Sequence, residues 1–176
     1  ASSLTDVAGT LFFTTDDGVH GRELWTSDGT EAGTVLVEDI NPGGYGSDPA
    51  YLIAVGPKLF FAARDGVHGA ELWTSDGTEA GTVLVEDISS SNDTYYSGPG
   101  GMADVGGTLF FSIDDGVHGR EPWTSDGTAD GTSMVADITR SRRSSRRAER
   151  HSMASAMPRS LSRWRSCASS NRTAET

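Results

Sequence analysis

The segment ELWTSDGTEAGTVLVEDI, residues 23–40, recurs without a change at residues 71–88 and in a looser form at residues 121–138. The three copies are offset by 48 and then by 50 residues. Two shorter segments accompany it in every copy: Leu-Phe-Phe at 11–13, 59–61 and 109–111, and Asp-Gly-Val-His-Gly at 17–21, 65–69 and 115–119. A period of this length indicates an architecture in which one small unit is stacked on the next.

Within each unit, short apolar runs alternate with turns rich in glycine and aspartate, which is typical of antiparallel hairpins. Several runs are apolar on both faces, as Leu59-Phe60-Phe61 shows, so both faces of such a strand must be covered. In the second unit the expected strands are Tyr51 to Val55, Lys58 to Ala63, Glu71 to Thr74 and Thr82 to Ile88.

The predicted fold is therefore all-β: a partial β-propeller with about three four-stranded antiparallel blades. The blades are expected at residues 1–50, 51–100 and 101–139. Closed propellers have at least about four blades, so we expect blades of a longer parent chain to be missing here. A β-solenoid is the alternative.

Charge divides the chain into two parts. Residues 1–138 carry four basic and 23 acidic side chains, a net charge of −19, whereas residues 139–176 carry ten basic and two acidic ones, a net charge of +8. An acidic body argues against nucleic acid as a partner of the repeats. There is no run of about 18 apolar residues, so no membrane span is expected. The single cysteine, Cys167, forms no disulfide within the chain.

Residues 140–176 hold ten arginines and ten serines among 37 residues and have no periodicity. We expect a disordered basic tail. Three interpretations stay open: a basic arm for an anionic surface, a linker, or the product of a shifted reading frame that begins near codon 139.

The segment Glu-Leu-Trp-x-x-Asp-Gly-Thr at 23–30 and 71–78 resembles the signature of the ELWxxDGT repeat family, and the resemblance extends over about residues 4–139. It implies a large, mostly bacterial, propeller-like repeat protein that is secreted or displayed at the cell surface. The third unit departs from the pattern, because Pro122 stands where the other two have leucine. Proline cannot donate to a strand ladder, which predicts an edge or a bulge at this position.

The Trp-Thr-Ser-Asp-Gly-Thr segments are interpreted as structural turns, in which the aspartate accepts backbone N–H groups and the glycine adopts a positive φ. They resemble the Asp-box of sialidase propellers. The recurring tryptophan suits a contact in the core or between blades. These structural positions are Trp25, Asp28, Gly29, Trp73, Asp76, Gly77, Trp123, Asp126 and Gly127.

The Asp-Gly-Val-His-Gly-x-Glu segments hold the only candidate cation ligands, because a histidine and carboxylates lie close together in sequence. A surface turn is the competing interpretation, so we expect no firm cofactor and treat Ca²⁺ as an alternative. The candidates are Asp17, His20, Glu23, Asp65, His68, Glu71, Asp115, His118 and Glu121.

No catalytic motif occurs, and residues that are identical in every repeat serve a fold better than an asymmetric catalytic site. The expected function is a non-catalytic extracellular or cell-surface module for protein or glycan interaction. The alternatives are a Ca²⁺-dependent lectin-like propeller and a piece of a propeller hydrolase or lyase. We expect ligands at the end of the blades that carries the Asp-Gly-Val-His-Gly turns and the variable linkers 41–50 and 89–101, with Tyr45, Tyr95 and Tyr96.

Overall fold

A computed structural model of the chain describes residues 1–89 and 98–139. It confirms the all-β prediction: three separate four-stranded antiparallel sheets follow one another along the chain, one in each repeat. The strands of sheet 1 are β1 (Ser2–Val7), β2 (Thr10–Asp16), β3 (Arg22–Ser27) and β4 (Val35–Glu38); those of sheet 2 are β5 (Ala50–Val55), β6 (Lys58–Arg64), β7 (Ala70–Ser75) and β8 (Val83–Glu86); and those of sheet 3 are β9 (Gly100–Val105), β10 (Thr108–Asp114), β11 (Arg120–Ser125) and β12 (Ser133–Met134).

Each sheet pairs its strands in sequence order, as expected for a meander joined by tight turns. The first strands of successive sheets lie side by side, β1 beside β5 and β5 beside β9. A β-solenoid would instead have parallel strands stacked in successive coils, whereas each repeat here forms an antiparallel sheet of its own. The fourth strand of sheet 2, Val83–Glu86, is shorter than the predicted run from Thr82 to Ile88. After Glu86 the chain leaves the sheet, and the amide of Ile88 donates to the carboxylate of Glu71.

Successive sheets bury their apolar faces against each other, which explains why the strands are apolar on both sides. Alternate residues of β6 point to opposite faces: Phe61 belongs to a core cluster shared with sheet 1, and Phe60 belongs to a second cluster shared with sheet 3. Trp73 is buried in the first cluster, and Trp123 packs against the second. Trp25 lies on the face of sheet 1 that points away from sheet 2 and is only partly buried.

Pro122 shortens the last strand of sheet 3. In sheet 1 the equivalent Leu24 pairs with Glu38 of β4, next to an irregularity in the register. The carbonyl of Pro122 still accepts the amide of Val135 at 2.8 Å, so its ring nitrogen points toward β12 as well. Proline has no N–H to donate there, and β12 is two residues long whereas β4 and β8 are each four.

The Ser-Asp-Gly-Thr turns join the third and fourth strands with the same hydrogen bonds in every repeat. In sheet 2 the carboxylate of Asp76 accepts the amide and the hydroxyl of Thr78 at 2.9 and 2.7 Å. The hydroxyl of Thr78 in turn accepts the amide of Gly81, at which a side chain would overlap the Asp76 carboxylate. Gly77 adopts the left-handed φ of +94° that this turn requires.

These turns also contact the preceding sheet. A Cβ at Gly127 would lie 3.0 Å from Cζ of Phe60, and a Cβ at Gly77 would lie 3.2 Å from Cζ of Phe12. Gly29, in the turn of sheet 1, has no atom within 4 Å of the same position. The glycine of sheets 2 and 3 therefore meets two demands, a backbone conformation and a close approach to a neighbouring phenylalanine.

We expect Gly127→Ala to cost clearly more stability than Gly29→Ala. Both glycines have φ near +90°, so both changes carry a penalty of about 1–2 kcal/mol for a left-handed alanine. Gly127→Ala also presses a methyl group against the buried ring of Phe60, which should add about 1–3 kcal/mol. Urea unfolding of both variants measures the difference. Equal losses would mean that the Phe60 contact does not constrain this glycine.

Candidate functional site

The sheets have two different ends. We call the end with the Asp-Gly-Val-His-Gly turns and the described linker residues 39–49, 87–89 and 98–99 the linker end, and the opposite end, with the Ser-Asp-Gly-Thr turns, the SDGT end. Antiparallel pairing in sequence order places the turn after the second strand and the linker after the fourth at one end. Tyr45 lies in the first linker and is 92% exposed. Tyr95 and Tyr96 lie outside the described residues.

At the tip of each linker-end turn, a histidine is bound to the aspartate three residues before it. Nδ1 of the histidine lies 2.5–2.7 Å from a carboxylate oxygen in the pairs Asp17–His20, Asp65–His68 and Asp115–His118. The other oxygen of Asp17 accepts the amides of Val19 and His20, both at 2.9 Å. The aspartate thus closes the turn and holds the histidine ring at the same time.

These contacts shift the pKa values of both partners. The amide and the ring of His20 lower the pKa of Asp17 to about 2, and the Asp17 carboxylate raises the pKa of His20 above its ordinary value. His68 is affected in the same direction by Asp65. The pairs Asp17–His20 and Asp65–His68 therefore favour an imidazolium beside a carboxylate.

The glutamate that begins each repeated segment, at positions 23, 71 and 121, lies in the interior and, within the described residues, is not hydrogen-bonded to these pairs. Glu71 is fully buried and accepts the amides of Ile88 and Ser89 at 3.1 and 3.0 Å. Glu23 accepts the amide of Ser47 at 2.7 Å and its hydroxyl. Glu121 accepts the amides of Ile138 and Thr139 and the Thr139 hydroxyl. In every repeat, this carboxylate anchors the chain that leaves the fourth strand.

The three glutamates differ in how burial and hydrogen bonding balance. Burial raises the pKa of Glu71 from the ordinary 4.5 to about 8, although two amides act against the shift. Burial also raises the pKa of Glu23. For Glu121 the hydroxyl and amide of Thr139 outweigh burial and lower the pKa. Glu71 is thus the carboxylate whose ionisation opposes folding most.

We expect the protein to be less stable at pH 8 than at pH 5. A group whose folded pKa is raised gives its full stabilisation below its unfolded pKa, and that contribution is lost as the pH rises through the folded value. For Glu71 this window runs from 4.5 to about 8, and a loss of about 1–3 kcal/mol is expected across it. The raised pKa values of His20 and His68 act in the same direction.

Urea unfolding at a series of pH values tests this expectation, with Glu71→Gln as the matched variant. The variant cannot ionise at this position, so most of the slope should disappear while the shares of Glu23 and of the histidines remain. An equal slope in both proteins would show that Glu71 is already ionised at pH 5.

The candidate cation ligands do not converge. Within residues 1–89 and 98–139, no three His, Cys, Asp or Glu side chains are grouped as a metal site would need. The aspartates and histidines pair at the turn tips, whereas the glutamates bind backbone amides in the interior. The side chains of His68 and Glu71, for example, have separate hydrogen-bond partners.

A cavity of about 460 Å³ opens at the linker end between sheets 2 and 3. Its size is within the range of small-molecule sites. Strands β5, β6 and β7 of sheet 2 and strands β9, β10 and β11 of sheet 3 contribute to its lining. Four alanines, at positions 50, 62, 63 and 70, belong to its lining, as do the charged residues Asp48, Arg64 and Arg120.

The cavity arises where sheet 2 departs from the other two sheets. The first residue of the third strand is arginine in sheets 1 and 3 but Ala70 in sheet 2. In sheet 1, this arginine, Arg22, reaches across to the hydroxyls of Ser2 and Thr14. Sheet 2 has alanines at those two positions as well, Ala50 and Ala62. Methyl groups thus replace a guanidinium and the two hydroxyls that bind it.

Tyr51 stands at the mouth of this cavity in a strained conformation. The first strand of each sheet is irregular near its start, and one residue there has a positive φ: Ser3 at +56°, Tyr51 at +57° and Gly101 at +61°. A left-handed φ suits Gly101 but is rare for a bulky residue. Tyr51 is nevertheless 62% exposed, so burial of its ring does not compensate for the strain.

Two features of this region were not found from the sequence. The glutamate anchor could have been suspected, because a charged residue on a strand in every copy needs a partner when the strand is buried. The cavity had a signal too, in the change from Arg22 and Arg120 to Ala70 at one register position. Its meaning is clear only once the strand pairing is known, because the pairing shows which side chains share one face of the sheet.

No protein family model, curated protein or solved structure matches this chain. Within residues 1–89 and 98–139, no helix has the length and hydropathy needed to cross a membrane.

Proposed function

We propose that this chain is a non-catalytic repeat module of the ELWxxDGT type, secreted or displayed at the cell surface, which binds a glycan or a protein at its linker end. The observation that supports the proposal is that residues repeated in every unit maintain the fold, whereas residues that vary between units lie at the linker end. The constant aspartates, glycines and glutamates are engaged in turns and anchors inside each repeat.

The variable residues collect at the linker end. The two linkers differ in length and sequence there, and the cavity between sheets 2 and 3 lies at the same end. The valines at the turn tips, Val19, Val67 and Val117, are 66–78% exposed. Variable loops on a rigid scaffold, together with exposed apolar side chains, favour recognition of a partner.

An array of neutral and acidic oligosaccharides, probed with the full chain, tests the proposal. Two variants of sheet 2 locate the binding end: Val67→Glu at the linker end and Ala80→Glu at the SDGT end. Both place a new carboxylate on an exposed residue. We expect Val67→Glu to weaken binding at least fivefold and Ala80→Glu to leave it unchanged.

The reverse pattern would contradict the assignment of the binding end. A calcium titration followed by amide NMR examines the lectin-like alternative, since binding that needs Ca²⁺ would move the amides near Asp65 and His68. A chain that binds no glycan on the array and shows no calcium-dependent shift would contradict glycan binding as its function.

A further inference from the structure

We propose that the cavity between sheets 2 and 3 binds a sugar unit that carries a carboxylate, a uronate, with Arg64 and Arg120 beside the carboxylate and Tyr51 against the sugar ring. This inference rests on the proposed function and specifies its ligand. The argument has three parts: the charge of the cavity, its floor and its aromatic edge.

The charge of the cavity is opposite to that of the protein around it. Residues 1–138 hold only four basic side chains against 23 acidic ones, yet two of the four, Arg64 and Arg120, line this one cavity. Asp48 is the acidic residue among the described lining residues, and its carboxylate lies 3.6 Å from Nη1 of Arg64. These described residues therefore carry a net positive charge inside an acidic body, which favours a compact anion over an extended one.

Arg120 is held in place by the wall of the cavity. Its Nη1 donates to the carbonyl of Ser112 at 2.8 Å, and its Nη2 donates to the carbonyl of Gly98 at 2.9 Å. A guanidinium with a fixed orientation loses little conformational entropy when it meets a planar carboxylate. A positioned arginine of this kind suits a carboxylate better than a mobile lysine would.

The floor of the cavity is made of small groups. Ala50, Ala62 and Ala70 present methyl groups on the face of sheet 2 that points to sheet 3, and Gly100 and Gly101 leave room on the side of sheet 3. These small apolar groups accommodate the C–H face of a pyranose ring. The same register positions hold Ser2, Thr14 and Arg22 in sheet 1, so the space exists because sheet 2 has lost those polar side chains.

Tyr51 is the aromatic residue among the described residues that line the cavity. A phenol ring offers an apolar face for sugar C–H groups and a hydroxyl for a hydrogen bond. Its left-handed φ of +57° and its 62% exposure mean that neither the backbone nor the core benefits from a tyrosine at this position. Strain of this kind is retained at sites where the side chain has a role in binding.

The test titrates the full chain with D-glucuronate and follows amide NMR shifts, with glucose, acetate and inorganic phosphate as the other probes. We expect glucuronate to move the amides of Tyr51, Ala70 and Gly100, with at least tenfold weaker binding of glucose and acetate. Binding should weaken as salt is added, because the carboxylate is bound by charge. Equal binding of phosphate and glucuronate would overturn the sugar part of the inference.

Two variants separate a binding role from a structural one. Ala70→Arg restores the residue that sheets 1 and 3 carry and should fill the cavity, so glucuronate binding should fall at least tenfold while the melting temperature holds. Tyr51→Gly gives this position the residue that sheet 3 has and relieves the positive φ. Binding should again fall at least tenfold, but the melting temperature should not. The control is Arg22→Ala, which alters the equivalent position in sheet 1 and should leave binding unchanged.

Undiminished glucuronate binding by Ala70→Arg would overturn the site. The outcome for the proposed function is separate: if neutral oligosaccharides bind at the linker end and Val67→Glu weakens them, the function stands while the uronate assignment fails. If no sugar of either kind binds, the uronate assignment fails together with the glycan part of the proposed function.

Discussion

Replacing Trp73 with alanine is expected to lower the free energy of unfolding by about 3–5 kcal/mol. The indole is only 8% exposed and belongs to the cluster that joins sheets 1 and 2, together with Phe61 and Leu24. Truncation removes apolar contact with both sheets and leaves a void that rigid strands on either side cannot close. Chemical denaturation followed by circular dichroism measures the loss.

Trp25→Ala provides the matched control. Trp25 occupies the same position in an identical segment, but on the face of sheet 1 that points away from sheet 2, where it is partly exposed. We expect less than half the loss seen for Trp73. If the two substitutions cost the same, the tryptophan stabilises its own sheet, and the contact between sheets contributes little.

Glu71→Ala should cost about 2–4 kcal/mol. The buried amide of Ser89 and the partly buried amide of Ile88 would lose this acceptor, and an unsatisfied buried donor costs about 1–3 kcal/mol. Removal of a buried carboxylate offsets part of the loss, because its ionisation is unfavourable there. The chain after β8 should also become more mobile, since this anchor attaches it to the sheet.

Thermal unfolding of Glu71→Ala, Glu71→Gln and Glu79→Ala at pH 6 distinguishes the anchor from a general charge effect. Glutamine keeps one acceptor oxygen and should fall between the wild type and alanine. Glu79 lies exposed in the turn of the same sheet, and its loss should be nearly neutral. A Glu71→Ala protein as stable as the Glu79→Ala protein would rule out the anchor.

The repeat pattern was enough to predict the sheets, because local turn chemistry and apolar runs on both faces act within a single unit. The turn at Asp76 and Gly77 has the hydrogen bond and the positive φ that its residues favour. Glu71 was considered as a metal ligand, since its place in the sequence next to His68 says nothing about the direction of its side chain. Strand alternation turns Glu71 into the interior, whereas His68 stays at the turn tip.

The cavity could not be predicted, because it depends on residues from two repeats. Ala62, Ala63 and Ala70 come from sheet 2, whereas Gly100 and Arg120 come from sheet 3. A comparison of the units along the sequence shows the substitutions but not that they face one space. The closure of these sheets into a propeller likewise depends on contacts outside a single unit, and it stays a prediction.

The sharing of core clusters between neighbouring sheets has a consequence for how the protein opens. Within residues 1–89 and 98–139, one cluster links sheets 1 and 2 and the other links sheets 2 and 3, so sheet 2 is covered on both faces and each of the others on one. In a linear array of this kind, local opening begins at the units with a single neighbour. Amide hydrogen exchange should therefore be slowest in β6 and β7 and faster in the corresponding strands of sheets 1 and 3.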